Sequence, residues 1–126
     1  MKSENYKKLH EDFPSLVGYY GRGCDIACGD GWYELLYKLC GDLEVTAKKQ
    51  GIDLAITYIK EKWGAMDVFL SSGTDEMYVL VDSARVASTK ICEACGKPGK
   101  TRNMNGWFST LCNEHVDDYI LRDMLR

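Results

Sequence analysis

The chain has 126 residues and a mass of 14.3 kDa, enough for a core that buries roughly two-thirds of the unfolded surface and too little for two full-sized domains. Apolar residues make up 45% and charged residues 28%, a globular balance that excludes a disordered tail or a low-complexity segment. Sixteen Lys and Arg against nineteen Asp and Glu leave a net charge of -3, which argues against sequence-independent coating of nucleic acid, an activity that draws on many cationic contacts to phosphate.

The first eight residues lack the apolar stretch of a leader, and no apolar run approaches the roughly 18 residues needed to cross a bilayer, so a cytoplasmic protein with no membrane partner is expected. Tyr6, Leu9 and Phe13 stand at helical spacing and predict a short helix over 4–12, stopped by Pro14. From Gly18 to Gly31 five glycines, Tyr19, Tyr20, Cys24 and Cys28 predict an irregular loop anchored by aromatics. Asp30 is placed to cap the next element, a helix of about five turns in which Trp32, Leu35, Leu36, Leu39 and Leu43 form the apolar stripe and Gly51 marks the end. Unpaired amides at Gly29–Trp32 would suit an anion, but a capping carboxylate at Asp30 would fill that role and repel phosphate.

The period changes over Leu54–Leu70. Ile56, Tyr58 and Lys60 alternate with Thr57, Ile59 and Glu61, and Met66, Val68 and Leu70 follow a tight Trp63-Gly64 turn, so a β-hairpin is predicted. Apolar residues on both faces predict that at least one strand is covered on both sides. After Thr74 a second amphipathic helix runs through Met77, Leu80, Val81, Ala84 and Ala87, with acidic residues in its first turn and Lys90 at its end. A terminal helix from about Asn113 presents Val116, Ile120, Leu121 and Met124. The expected class is α+β: helices packed with a β-hairpin, plus a C-terminal zinc knuckle and terminal helix. One domain over 1–126 is expected, with an α+β core at 1–90 and a zinc-binding subregion at 91–126 docked on it.

Cys92 and Cys95 are separated by two residues, the spacing that lets two thiolates face one ion, and Gly96 relieves the turn. Cys112 and His115 repeat the spacing after sixteen intervening residues. Three sulfurs and an imidazole match tetrahedral Zn2+, and four protein ligands leave no position for a reactive water, so the ion is expected to be structural. Cys24, Cys28 and Cys40 are expected to be ordinary buried thiols; a second metal would need His10 or Asp30 as its fourth ligand. No nucleophile–base pairing is visible, and an enzyme would have to draw on an isolated His10 or Asp30; no catalytic residue is assigned and no enzyme is expected.

Two stretches are candidate partner surfaces. Lys60, Lys62 and Trp63 at the hairpin turn would set two cations beside a stacking indole, whereas the general burial of aromatics favours Trp63 packed inward. Lys97, Lys100, Arg102 and Trp107 give the C-terminal segment a modest basic face, suited to nucleic acid, to a protein, or merely to solubility.

Three stretches taken together, Cys28-Gly29-Asp30-Gly31-Trp32, Ile59-Lys60-Glu61-Lys62-Trp63-Gly64 and Cys92-Glu93-Ala94-Cys95-Gly96 with Cys112-Asn113-Glu114-His115, resemble a family of small, mostly uncharacterised bacteriophage and prophage proteins. Members usually continue from the Trp-Gly turn with Leu-Arg, where this chain has Ala65-Met66-Asp67. The resemblance implies work in an infected bacterial cytoplasm. Small accessory phage proteins there often counter host defence by binding a defence protein or sequestering a nucleotide messenger. A nucleic-acid-binding zinc ribbon is the alternative.

Overall fold

The computed structural model describes residues 1–18 and 24–124; of Tyr119 and residues 121–124 it describes the helical backbone alone. The expectations placed on Tyr19, Tyr20, Gly21 and Gly23, and on the side chains of Leu121 and Met124, lie outside the described residues. The elements in order are α1 (Ser3–Asp12), β1 (Asp25–Ala27), a 3-10 turn (Asp30–Trp32), α2 (Tyr33–Gln50), β2 (Ala55–Lys62), β3 (Ala65–Ser71), α3 (Asp75–Ser88), β4 (Lys100–Met104), β5 (Trp107–Leu111) and α4 (Asn113–Met124). The α+β class follows directly from this order. Two elements depart from expectation: β1 replaces part of the predicted loop, and β4 and β5 form a second hairpin.

The main sheet has the order β1-β2-β3, with β1 parallel and β3 antiparallel to β2. Its register resolves the two-sided apolar pattern. Ile56 pairs with Leu70 but Tyr58 pairs with Phe69, so Thr57 is an extra residue in β2. A bulge of this kind resets the side-chain alternation, and it turns both Ile56 and Ile59 into the core. Met66, Val68 and Leu70 of β3 point the same way. The opposite face is open, contrary to the expectation of a strand covered on both sides: Phe69 is exposed and stacks on Tyr58 with ring centroids 5.4 Å apart.

The covered face packs under α2 and α3. Leu36, Leu39, Cys40 and Leu43 of α2 recur at helical spacing and are buried with Met77, Val81 and Ala84 of α3. Gly51, at φ 65°, ends α2 in the left-handed conformation that a Cβ disfavours, while the Ile52 N–H returns to the Ala47 carbonyl. Thr74 caps α3 by accepting from the Met77 N–H. From α1, Tyr6, Leu9 and Phe13 close the same core at its other end, and the Tyr6 hydroxyl donates to the Cys24 carbonyl just before β1. No described helix is long and apolar enough to cross a membrane.

Candidate metal centre

Residues 91–99 form a tight knuckle. The Cys92 N–H donates to the Lys97 carbonyl at 2.8 Å and the Gly96 N–H to the Cys92 carbonyl at 2.9 Å, with Gly96 at φ 83°. That turn brings the Cys92 and Cys95 sulfurs to one side. The second pair comes from a strand-to-helix junction. Cys112 follows β5 directly, its carbonyl accepts the Val116 N–H, and His115 sits in the first turn of α4. The ligand atoms of Cys92, Cys95, Cys112 and His115 all lie within 4.8 Å of one another, so one ion can touch all four. The sequence-predicted ligand set is therefore brought together in full.

His115 presents Nδ1, which lies 3.2 Å from Cys112 Sγ and 3.7 Å from Cys92 Sγ. Cys95 Sγ lies 3.8 Å from Cys112 Sγ. Cys92 and Cys112 are buried and Cys95 is exposed, so the cluster sits at the surface. Burial pushes the Cys92 thiol up, but the backbone N–H groups of Cys112, Cys95 and Ala94 outweigh it and hold the thiol below its ordinary value. The His115 N–H and imidazole similarly lower Cys112. Cys95 goes the other way: the Lys97 N–H lowers it, but desolvation and the neighbouring Cys92 and Cys112 sulfurs raise it on balance. Backbone donors aimed at sulfur favour thiolate, the form that binds metal.

The knuckle rests on the glycine motif ahead of α2. The Gly31 N–H donates to the Glu93 carbonyl at 2.7 Å, the Gly29 N–H to Glu93 Oε2 at 2.9 Å, and the Trp32 indole N–H to the Ile91 carbonyl at 2.9 Å. The amides that would suit an external anion are thus occupied by the chain's own Glu93. Desolvation holds that carboxyl above its ordinary value, with the Gly29 N–H opposing the rise. Asp30 does not cap α2. Its Oδ1 turns back to accept from the Lys2 N–H at 2.8 Å and the Asn5 amide at 3.0 Å, which places a carboxylate at the N-terminus of α1, where the helix dipole favours it.

The β4–β5 hairpin docks at a second point. The buried Thr110 hydroxyl donates to the Gly64 carbonyl and lies 2.7 Å from Thr101 Oγ1, while Phe108 meets Trp63 edge to face at 5.8 Å. Glu93, Thr101, Thr110 and Phe108 were missed as site residues. The hairpin carrying three of them had a sequence signal: Asn105-Gly106, at φ 56° and 86°, is the favoured pair for a two-residue turn.

The candidate partner residues separate. Trp63 is 69% and Trp107 61% exposed, so the inward packing favoured for Trp63 does not occur. Lys62 lines one hollow with both. Lys60 reaches over the Tyr58 ring at 4.5 Å, and Lys97 and Lys100 are exposed on the knuckle side. Arg102 is committed internally: its guanidinium donates to the Leu111 carbonyl at 3.2 Å and to Asn113 Oδ1 at 2.8 Å, clasping the junction that carries Cys112.

Cys24, Cys28 and Cys40 are buried and, among the described residues, outside the metal cluster. Desolvation, with Asp25, pushes Cys24 to about 11, and desolvation, with Glu93, pushes Cys28 to about 12; burial also raises Cys40. They are thiols held neutral in the core.

No family model, curated protein or solved structure matches the chain.

Proposed function

We propose that the chain is a non-catalytic, zinc-stabilised phage accessory protein that works against host defence in the bacterial cytoplasm, binding a defence protein or sequestering a nucleotide signal. The observation that carries the non-catalytic part is the closed ligand set. With bonds of about 2.3 Å to sulfur and about 2.0 Å to nitrogen, tetrahedral Zn2+ gives sulfur–sulfur edges of about 3.8 Å and sulfur–nitrogen edges of about 3.5 Å. Three of the six edges here are 3.8, 3.7 and 3.2 Å, and all six lie within 4.8 Å. Four protein donors leave no position for a water, so the ion serves as scaffold and the exposed surface does the binding. The phage setting rests on the three-motif resemblance. Elemental analysis should find one zinc per chain, and a pull-down from infected host lysate, with proteins and small nucleotides both identified, should recover one defence component or one nucleotide. Metal-free native protein overturns the scaffold, and recovery of neither overturns the counter-defence role.

A second reading, a nucleic-acid-binding zinc ribbon, is supported by the β4–β5 hairpin itself. It carries the exposed Trp107, and neither Lys97 nor Lys100 pairs with a described carboxylate. It predicts salt-sensitive binding that weakens in Lys97→Ala/Lys100→Ala. Arg102 is left out of that test because it holds the β5–α4 junction.

A further inference from the structure

The two hairpin turns end side by side, and the sequence of the first conflicts with its geometry. Trp63 holds φ 57° and Gly64 φ 82°, a two-residue turn whose first position favours Asn, Asp or Gly. A bulky aromatic is strained in that conformation. The indole gains little burial in return, since it stays 69% exposed. The neighbouring Asn105-Gly106 turn follows the rule and delivers a second exposed indole, Trp107, one residue later. Between the tips lies an open hollow of about 160 Å3 lined by Glu61, Lys62, Trp63, Gly106, Trp107 and Phe108. A second hollow, of about 430 Å3, shares Lys62 and Trp63 and adds Asp67 and Arg85.

The charges around these hollows are unequal in availability. Glu61 Oε1 accepts the Gly64 N–H at 2.7 Å, and Asp67 pairs with Arg85 at 3.3 Å. Lys62, which lines both hollows, pairs with no described carboxylate, whereas Lys60 lines neither and lies over the Tyr58 ring. The tips therefore offer a cation beside two exposed indoles while the nearby carboxylates are engaged internally. A protein encloses most of a small ligand it binds tightly; two mostly exposed indoles cannot do so. They can stack bases presented in succession, which is how unpaired strands are held between aromatics and lysines. Bases inside a duplex are already stacked on each other and do not offer those faces.

We propose that the two hairpin tips form a platform for single-stranded nucleic acid, with unpaired bases stacking on Trp63 and Trp107 and a phosphate meeting Lys62. This rests on the nucleic-acid reading above and moves its contact from the knuckle lysines to the turns.

The test is anisotropy with labelled single strands of about 12 nucleotides, oligo(dT) and oligo(rU), against a duplex of equal length and against free AMP, on zinc-loaded protein. Trp63→Asn supplies the residue the turn prefers, so it removes the indole without breaking the hairpin; Trp107→Thr alters an exposed strand position. Unchanged metal content and a melting temperature no lower than that of the wild type confirm both folds. Each variant should bind single strands about ten-fold or more weakly, binding should quench tryptophan fluorescence, and Lys62→Gln should make the slope of log K against log salt shallower by about 0.7. Wild-type affinity in both tryptophan variants, or duplex or AMP bound as tightly as the single strand, overturns the platform. If binding then disappears in Lys97→Ala/Lys100→Ala, the nucleic-acid reading survives without it. Failure of the wild-type protein to bind any oligonucleotide overturns both.

Discussion

Gly31 lies directly against the backbone of Cys92: a Cβ at Gly31 would stand 2.0 Å from the Cys92 carbonyl oxygen and 2.6 Å from that of Glu93. The obstructing atoms are main chain and belong to the knuckle, so they cannot rotate aside. Gly31→Ala should destabilise the zinc-loaded protein by about 1–3 kcal/mol, the usual range for overpacking a close contact. Gly41 is the control. It sits inside α2 with nothing within 4 Å of its Cβ position, and Gly41→Ala should stabilise by about 0.5–1 kcal/mol through helix propensity. Urea denaturation of the two variants should move in opposite directions; a common direction would refute the close docking.

The ligand set predicts a division among the six cysteines. Cys95→Ser and His115→Ala should each lose stoichiometric metal, and cobalt reconstituted into the wild-type chain should give the absorption of a tetrahedral thiolate site. Cys24→Ser and Cys28→Ser should keep the ion, because those thiols belong to the core. Chelation should lower the melting temperature of the wild-type protein and change that of Cys95→Ser little. A metal content unaffected by Cys95→Ser would remove that sulfur from the site.

Much of the fold was legible because its signals are local. The stripe through Leu36, Leu39 and Leu43, the Thr74 cap and the ligand pairs each occupy a few neighbouring positions. What escaped depends on contacts distant in sequence. Nothing within Gly29-Asp30-Gly31 says that Glu93 will occupy its amides, nor that Asp30 will serve α1 in place of the helix beside it. Thr57 carries no mark of the bulge that sets both Ile56 and Ile59 inward. The average burial of aromatics points Trp63 inward, whereas its place in a tight turn decides its exposure.

The Asp30 contact makes an acid-limb prediction. The Lys2 N–H, opposed by slight desolvation and helped by Asn5, holds the carboxyl below its ordinary value of 3.8. A carboxylate with a lowered folded pKa adds stability above its unfolded value, and that share is lost as pH falls through the folded value. The difference in stability between wild type and Asp30→Asn should thus be full near neutral pH and should close as pH drops below 3.8. Asn keeps an acceptor for the Lys2 N–H, so the variant isolates the charge. A difference that persists unchanged in acid would show that the carboxylate is not what anchors α1.

Thr110 tests whether the C-terminal hairpin is fastened to the main sheet by one hydroxyl. The residue is fully buried, its Oγ1 donates to the Gly64 carbonyl, and Thr101 Oγ1 lies 2.7 Å away. Thr110→Val keeps nearly the same volume and deletes only the hydroxyl, leaving the Gly64 carbonyl without that donor and the Thr101 hydroxyl without its neighbour. The expected cost is about 1–3 kcal/mol, the penalty for orphaning a buried polar group. The metal should stay bound, since the substitution removes only a side-chain hydroxyl and keeps the backbone bond from the Glu93 N–H to the Thr110 carbonyl, two residues before Cys112. Hydrogen exchange should then quicken at the Trp63-Gly64 turn before it quickens in α2, because the lost contact lies at the turn and local opening is the cheaper route. Equal exchange rates in both places would mean that the two hairpins separate only on global unfolding.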